Sequence, residues 1–464
     1  MKVILFLDDW MIERRDGLER VWGEPKFVKE VFSNYPAGFL GYGGPQCVFY
    51  DETLGRHVMY LTVFPPEADE EAFTVRLQSD DPRNWPNPTY NLSARPAWKG
   101  FKDVVVKEDG EGFCVSVPRS LAGTPLAERG YLATSYKTAW HRYASFMAFS
   151  DDGLHFKVDW ERPWHNTQSD TWNGILWNEG AGVYQIFCRP VNCDRRVALI
   201  TTADFKHFSP PAIILQPDSS DPVRTEFYSM PTRRYEDMYV GMLHVYTTDV
   251  QDERRLKMDG RNETQLAYSY NGINWNRTRR EPFIRLRDFG LQGGGQLCAQ
   301  DVLRTPDDKL LIIAAASKGE HNAYPDMQKA GVDTTGYFGP LLYEMRLDGF
   351  ASLRTASKNG LLRTKAIVPR SAEMSINVRT TAHTAIRVQM LDGDTAKPIP
   401  GYTFEETAPI TGDHLFAKPY WKERADLSEL VDKPVRIEIE MREAELFAIR
   451  LNCQVFVGDV PTEM

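Results

Sequence analysis

The 464-residue sequence contains few cysteines and no long apolar run. Its six cysteines, at positions 47, 114, 188, 193, 298 and 453, form no Cys-x-x-Cys pair. This spacing predicts no structural zinc site, and the low number fits buried thiols in a reducing compartment. No stretch of about 18 apolar residues occurs, so we expect no membrane span. The N-terminal apolar stretch ends at Leu7, before Asp8 and Asp9, which is too short for a signal peptide. We therefore predict a cytoplasmic protein without metal or cofactor.

An excess of positive charge is also missing. The chain has 55 Lys and Arg against 64 Asp and Glu, a formal net charge of −9 at pH 7. Proteins that bind nucleic acids or anionic membranes through their overall charge are usually basic. We therefore expect neither partner, while an oligomer stays compatible with the composition.

Helical periodicity is scarce, since no stretch longer than about ten residues keeps an apolar period of 3.6. In its place, apolar runs typical of strands alternate with turns, and 33 Gly and 29 Pro supply the turn formers. Aromatic residues, 12% of the chain, also favour strands. The sequence therefore predicts an all-β protein, with strands within residues 46–50, 58–64, 113–117, 183–187, 238–244 and 310–314.

One short segment recurs along the chain: a small hydroxyl residue, a turn and, six residues later, an aromatic residue. The four pairs are Ser79 and Trp85, Ser150 and Phe156, Thr202 and Phe208, and Ser269 and Trp275. A degenerate fifth copy lies at residues 345–350. An apolar strand precedes each copy, so each is expected to be a hairpin closed by its aromatic residue. Spacings of roughly 50–75 residues are typical of propeller blades. We predict a five-bladed β-propeller over residues 1–358, which would be the catalytic domain.

The pattern changes after about residue 360. Apolar and polar residues alternate within residues 375–379, 386–391, 435–441 and 446–451, and residues 401–404 also suggest a strand. Alternation is typical of antiparallel strands with one buried face. The sequence therefore predicts a C-terminal β-sandwich over residues 359–464.

Three acidic residues lie just before or inside the expected first strands of successive blades: Asp103, Asp170 and Glu226. The first strand of each blade lines the central channel, so these carboxylates are expected to converge there. Glycosyl transfer needs such a set, because one carboxyl protonates the leaving oxygen while another attacks or activates water. The pattern therefore predicts glycoside chemistry.

These segments resemble motifs of the invertase/fructanase and arabinanase/xylosidase glycoside hydrolases. Phe-Lys-Asp-Val at 101–104 resembles their Arg-Asp-Pro element, Asp-Thr-Trp-Asn at 170–173 stands where they have Glu-Cys-Pro-Asp, and Glu-Phe-Tyr-Ser at 226–229 resembles Asp-Phe-Tyr-Ala. Those families are five-bladed propellers, and the invertase side adds a C-terminal β-sandwich. The resemblance implies that Asp103 stabilises the transition state, Asp170 is the proton donor, and Glu226 contacts sugar hydroxyls. In our own assignment Glu226 is a hydroxyl anchor or a second acid.

The first blade departs from this pattern. Gly44 stands where the families place the aspartate that acts as nucleophile or base. Asp9, upstream of the blades, is our nominee for a replacement carboxylate.

Further residues at the channel are candidates for substrate contact. We expect Trp172 to stack on a sugar, and His321 to lie on a loop at the channel mouth. Tyr228, His244 and Gln296 are candidates for hydrogen bonds to hydroxyls.

Together these features predict a glycosidase that cleaves the end of a small oligosaccharide or glycoside. Two alternatives stay open: a glycoside phosphorylase or transglycosylase, and a carbohydrate-binding propeller that has lost its nucleophile.

Overall fold

Short strands dominate the structure because the apolar runs are brief and turn residues follow them closely. The computed structural model describes residues 2–66, 71–139, 142–165, 169, 171–190, 195–248, 260–321, 323–356, 358–381 and 383–456. The predicted all-β class is confirmed. Helical segments in these ranges are confined to an α-helix at Tyr324–Lys329 and 3-10 turns at Ala97–Gly100, Ala127–Arg129 and Ser428–Leu430. No helix in the described part of the chain is long and apolar enough to cross a membrane.

The strands are numbered along the chain. Those before residue 31 are β1 (Val3–Leu5), β2 (Ile12–Asp16), β3 (Leu18–Trp22) and β4 (Lys26–Glu30). Those up to residue 346 are β5 (Gly41–Asp51), β6 (Arg56–Phe64), β7 (Phe73–Ser79), β8 (Val106–Lys107), β9 (Ser116–Ser120), β10 (Tyr131–Ala139), β11 (Arg142–Ser150), β12 (His155–His165), β13 (Gly174–Asn178), β14 (Val183–Cys188), β15 (Val197–Thr202), β16 (Ala212–Leu215), β17 (Thr225–Ser229), β18 (Thr232–Tyr235), β19 (Met238–Thr248), β20 (Gly260–Ser269), β21 (Gln296–Arg304), β22 (Lys309–Ser317) and β23 (Phe338–Arg346). The C-terminal strands are β24 (Ala351–Thr355), β25 (Asn359–Thr364), β26 (Ile367–Thr380), β27 (Ile386–Asp392), β28 (Asp413–Ala417), β29 (Val435–Arg442) and β30 (Ala444–Val455).

The chain divides into two compact units. The larger unit comprises Pro25–Thr305 and Leu310–Glu344, and the smaller unit comprises Met1–Glu24, Pro306–Lys309 and Met345–Met464. This grouping differs from the boundary at residue 358 expected from the sequence. The reason is strand pairing: β1, β2 and β3 pair with β30, β25 and β24, so the N-terminal residues join the C-terminal sheet.

Five groups of strands form most of the larger unit, with β4 paired on β23 and β8 on β12. They are β5-β6-β7, β9-β10-β11-β12, β13-β14-β15-β16, β17 and β18 with β19-β20, and β21-β22-β23. The first strands contact one another in a closed circle: β5 with β9, β9 with β13, β13 with β18, β18 with β21, and β21 with β5. We call these five strands the inner circle. Their side chains are the ones that can meet at its centre.

The recurring hydroxyl segment follows the third strand of a group, where β17 and β18, which both pair with β19, count together as the first strand. After β11, the Ser150 hydroxyl accepts a hydrogen bond from the Gly153 amide at 2.9 Å, and Asp152 Oδ1 accepts one from the His155 amide at 2.9 Å. The closing aromatic residue, Phe156, is fully buried. The same contacts recur at Thr202 with Asp204 after β15, and at Ser269 with Asn271 after β20. The repeat in the sequence is therefore a repeat of turn structure.

The smaller unit is a ten-stranded sheet that encloses its own apolar core. Its order is β2-β25-β29-β26-β30-β24-β3, with β1 on β30, β27 on β29 and β28 on β26. Alternate residues of β29, namely Val435, Ile437, Ile439 and Met441, are fully buried. The predicted strands at 375–379, 386–391, 435–441 and 446–451 are confirmed.

Three predicted strands differ from the structure. Residues 401–404 form a turn, in which the Tyr402 amide donates to the Ile399 carbonyl at 3.0 Å and the Tyr402 ring packs against Trp421, with centroids 4.9 Å apart. The first strand expected around Asp103 does not form, because residues 101–106 contain a bend at Asp103, whose φ of +54° breaks an extended strand. The first strand of the second group is instead β9, which takes in only the end of the strand expected at residues 113–117.

Candidate functional site

Four of the five strand groups, together with Thr171 and Trp172 just before β13, line one cavity of about 330 Å³. This volume lies at the lower end of the usual range for small-molecule sites, roughly 300–1,000 Å³. The wall combines aromatic rings with uncharged polar side chains. The aromatic residues are Phe64, Trp172, Tyr228 and Phe338, and the polar ones are Thr62, Ser116, Thr134, Ser135, Thr171, Ser229, His244, Asn262, Gln296, Gln300 and Ser317.

Trp172 is held in the cavity wall by close packing. Its side chain is 5% exposed, and a Cβ on Gly174 would lie only 1.7 Å from its ring, so this approach requires glycine. The guanidinium groups of Arg119 and Arg233 lie 5.9 and 5.8 Å from the ring centroid. Both distances suit cation–π contacts.

His244 and Ser229 form a buried pair in the wall. The Ser229 hydroxyl lies 2.6 Å from His244 Nδ1, and His244 Nε2 lies 2.8 Å from the Ala299 carbonyl oxygen. Burial lowers the pKa of His244 to about 4, so the ring is neutral at pH 7. A neutral imidazole has one N–H, and the carbonyl fixes it at Nε2.

A series of side-chain hydrogen bonds runs from β20 through β21 to β22. Asn262 Nδ2 donates to Gln296 Oε1 at 3.0 Å, and Gln296 Nε2 donates to the Ser317 hydroxyl at 3.1 Å. The Ser317 hydroxyl donates to the Gly319 carbonyl at 2.6 Å. Three strands thus hold these amides in a defined orientation.

Tyr228 links the cavity to a charged cluster. Its hydroxyl lies 3.0 Å from His321 Nε2. The Arg189 and Arg195 guanidinium groups lie 4.5 and 5.4 Å from its ring centroid. Arg195 in turn contacts the Glu226 carboxylate at 2.5 Å. Glu226 is two residues before Tyr228 on β17, so the alternation of the strand places both on one face.

Two cavity thiols are unreactive at neutral pH. Burial raises the pKa of Cys298 to about 12 and also raises the pKa of Cys114. A thiol in this state does not supply a thiolate nucleophile. The five described cysteines are all free, and among the described residues no group of three or more His, Cys, Asp or Glu could hold a metal ion.

The structure brings the predicted substrate-binding residues together better than the predicted carboxylates. Trp172, Tyr228, His244 and Gln296 line the cavity, and His321 adjoins it through Tyr228. Glu226 adjoins it through Arg195, which contacts both Glu226 and the Tyr228 ring.

The other predicted carboxylates lie elsewhere. Asp103 is in the connection between β7 and β8, where the next residue, Val104, pairs with Val75 in the outermost strand of its group. Asp9 belongs to the smaller unit and pairs with Arg20 at 2.5 Å. Asp170 lies outside the described residues.

Several residues of the site were not singled out from the sequence. Ser229 and Asn262 line the cavity, and Arg233 pairs with the buried Asp301 beside Trp172. Ser229 stands inside the Glu-Phe-Tyr-Ser segment already chosen for Glu226, so its position on the first strand was a usable signal. Asn262 carries no such signal, since it lies on the last strand of its group.

Solved structures similar to this chain include several carbohydrate-active proteins. A fructofuranosidase from Schwanniomyces occidentalis complexed with fructosylnystose is 11% identical, with 92% of this chain and 98% of that one covered, at a TM-score of 0.41. A thermostable family-43 glycoside hydrolase is 14% identical, covering 67% and 92%, at 0.43. An N-acetylgalactosamine deacetylase from F. plautii in complex with blood group B trisaccharide is 12% identical, covering 72% and 97%, at 0.45.

Propeller-type glycoside hydrolases, the group that the sequence motifs resemble, are thus among the similar solved structures. No protein-family model and no curated protein sequence matches the chain.

Proposed function

We propose that this chain is a glycoside-active protein that takes one end of a small neutral saccharide into the cavity. The observation that carries the proposal is the composition of the wall, which combines aromatic faces with hydroxyl and amide groups. Sugars present apolar C–H faces and many hydroxyls, so they match both kinds of surface. A cavity of about 330 Å³ suits one end of a saccharide better than a long polymer.

We also propose an architecture for the two units. The five strand groups are taken as five propeller blades, and the ten-stranded sheet of the smaller unit as a β-sandwich. Support comes from the closed inner circle and from the turn that follows the third strand of successive groups. In this view the cavity is the channel of the propeller.

In this proposal, Asp170 is the proton donor for cleavage of a terminal glycosidic bond. Support comes from its neighbours in the chain, since Thr171 and Trp172 both line the cavity. Glu226 is a hydroxyl anchor or second acid at the cavity edge. Asp103 and Asp9 are not among the lining residues, so the proposal gives them no contact with the sugar.

A second candidate function is carbohydrate binding without catalysis. One observation favours it: among the described residues that line the cavity, none is Asp or Glu. Glycoside hydrolysis uses a pair of carboxyl groups beside the scissile bond. The two candidates therefore differ in whether Asp170 supplies acid catalysis.

Binding and turnover, measured separately, test the proposal. Calorimetry with short neutral oligosaccharides measures binding, and aryl glycosides measure turnover with and without inorganic phosphate. For a hydrolase, Asp170→Asn lowers turnover by about 10²–10⁴ while binding is retained, and Asp151→Asn, in an exposed turn, is the matched control. Binding without turnover in either buffer identifies the binding protein, and a sugar phosphate product identifies a phosphorylase. Absence of saccharide binding contradicts the proposal.

A further inference from the structure

Several hydroxyl groups of the cavity wall share a feature: their protons point to main-chain carbonyls. Ser116 Oγ donates to the Thr171 carbonyl at 3.2 Å, Thr171 Oγ1 donates to the Tyr228 carbonyl at 3.2 Å, and Thr134 Oγ1 donates to the Ser116 carbonyl at 3.3 Å. A carbonyl oxygen can only accept, so the hydroxyl must be the donor. These side chains therefore offer a ligand mainly their oxygen lone pairs.

The series of hydrogen bonds from Asn262 to the Gly319 carbonyl also has a fixed direction. The Gly319 carbonyl takes the proton of Ser317, so Ser317 Oγ must accept from Gln296 Nε2. This fixes the Gln296 amide with Oε1 towards Asn262, whose Nδ2 donates to it. Asn262 Oδ1 is then the remaining end of the series.

Asn262 presents a buried acceptor without a partner in this wall. Its side chain is 1% exposed and lines the cavity, yet its Oδ1 has no hydrogen-bond partner among the described residues. A buried carbonyl without a partner costs about 1–3 kcal/mol, so such groups call for a ligand or water. The orphan atom thus marks a point where a bound molecule donates a hydrogen bond.

Ser229 has the same character on the other side of β19. The Ala299 carbonyl fixes the His244 proton at Nε2, so Nδ1 accepts and the Ser229 hydroxyl donates to it. Ser229 on β17 pairs with His244 on β19, and Asn262 on β20 pairs with Tyr246 on β19. His244 and Tyr246 are two residues apart, so Ser229 and Asn262 belong to the same face of the sheet.

We propose that the cavity recognises its saccharide through hydroxyl groups that the sugar donates, with Asn262 Oδ1 and Ser229 Oγ as acceptors. Gln296 and His244, expected from the sequence to touch hydroxyls themselves, are positioning residues that set the direction of these acceptors. This inference rests on the proposed function and specifies how that site selects its ligand.

Neutral hydroxyls fit this wall better than an amino group. An ammonium group also donates hydrogen bonds, but a buried charge needs an opposite charge beside it. The described lining residues include no carboxylate that could supply one. The selected ligand is therefore a neutral sugar with two free hydroxyls at this end.

Deoxyfluoro sugars test the direction of the hydrogen bonds. Fluorine resembles a hydroxyl in size and cannot donate. The probes are the methyl glycosides of glucose, galactose, mannose, xylose, arabinose and fructose, followed by the monodeoxy and deoxyfluoro series of the tightest binder. At two positions we expect both replacements to weaken binding about tenfold, as for the loss of one hydrogen bond. Asn262→Ala should become indifferent to one replacement and Ser229→Ala to the other.

The positioning role has its own readout. Gln296→Glu keeps an acceptor for Asn262 Nδ2, and its second oxygen can accept from the Ser317 hydroxyl. It should therefore keep the discrimination against the fluorinated position even where its charge changes the overall affinity, whereas Gln296→Ala should lose that discrimination. Equal loss in both variants contradicts the positioning role, because a purely structural contact would not be rescued by Glu.

Each result separates the two proposals. If the parent glycosides and the neutral oligosaccharides fail to bind, the proposed function and this inference both fall. If the parent binds and every deoxyfluoro analogue binds equally well, the proposed function stands and this inference is overturned. Should Asn262→Ala fail to fold by near-ultraviolet circular dichroism, the fluorinated series on the wild-type chain still decides.

Discussion

The Arg233 guanidinium donates to both oxygens of the Asp301 carboxylate, whose side chain is completely buried. Asp301 also accepts from the Val48 amide at 2.8 Å. One carboxylate therefore connects β5, β18 and β21, three strands of the inner circle. This contact fixes the circle directly beside Trp172, and so stabilises the shape of the cavity.

Removal of one partner should destabilise the larger unit strongly. We expect Arg233→Met to lower the free energy of unfolding by about 3–5 kcal/mol, because it leaves a buried carboxylate without its counter-charge. Arg233→Met with Asp301→Leu should recover part of the loss, since no charge is then left buried. Urea unfolding followed by tryptophan fluorescence measures both.

The matched control is Arg56→Met. Arg56 pairs with Asp80 at 3.2 Å, but the two side chains are 51% and 81% exposed, so its loss should cost less than about 1 kcal/mol. Equal effects of Arg233→Met and Arg56→Met would contradict a role for the buried pair.

His244 should make stability depend on pH. Burial lowers its pKa from 6.5 to about 4 in the folded protein, so between these values the unfolded chain binds a proton that the folded chain does not. Stability from this group is therefore present above about pH 6.5 and lost as the pH falls towards 4, by roughly 3 kcal/mol in total. Chemical unfolding of wild type and His244→Gln at several pH values measures the difference. If both proteins have the same slope between pH 6.5 and 4, His244 is not its source.

Turn glycines with positive φ should tolerate a side chain only where space allows. Gly153 has φ +73°, and a Cβ there would lie 2.5 Å from the hydroxyl of the buried Tyr60. Gly182 has φ +65° with no atom within 4 Å of such a Cβ. We expect Gly182→Ala to cost about 1 kcal/mol for backbone strain, and Gly153→Ala at least about 1 kcal/mol more for the displaced Tyr60. Thermal unfolding of the two variants compares them, and equal costs would contradict the tight contact at Tyr60.

Local signals made the repeat visible in the sequence. The contacts that define each turn join residues within three positions, as at Ser150 and Gly153, so the residue types alone reveal them. Alternating burial in β29 is local in the same sense. The N-terminal strands joined the C-terminal sheet through pairings between residues more than 300 positions apart, such as Val21 and Ser352, which no local pattern encodes.

The site was predictable mainly where it lies on or beside first strands, and His244, on β19, is the exception. Tyr228 and Gln296 were found because they stand in or at the start of such strands. Asp103 was assigned to one as well, but the chain pairs there with β7, and the second group begins later at β9. Asn262 reaches the cavity only because β20 runs beside β21, and Gln296 then meets its amide.

Glu226 should affect substrate affinity more than the chemical step. Its carboxylate is held by Arg195, which lies over the rings of Tyr228 and Tyr246, so loss of its charge loosens one side of the cavity. We expect Glu226→Gln to weaken substrate affinity about tenfold, as a rise in KM or in the dissociation constant, while turnover at saturating substrate stays within about tenfold. Steady-state kinetics with the best aryl glycoside, or calorimetry, provides the measurement, and Glu179→Gln, at an exposed turn, is the matched control. If turnover at saturating substrate instead falls by about two orders of magnitude or more, Glu226 is the second acid, because that is the usual contribution of general acid–base catalysis.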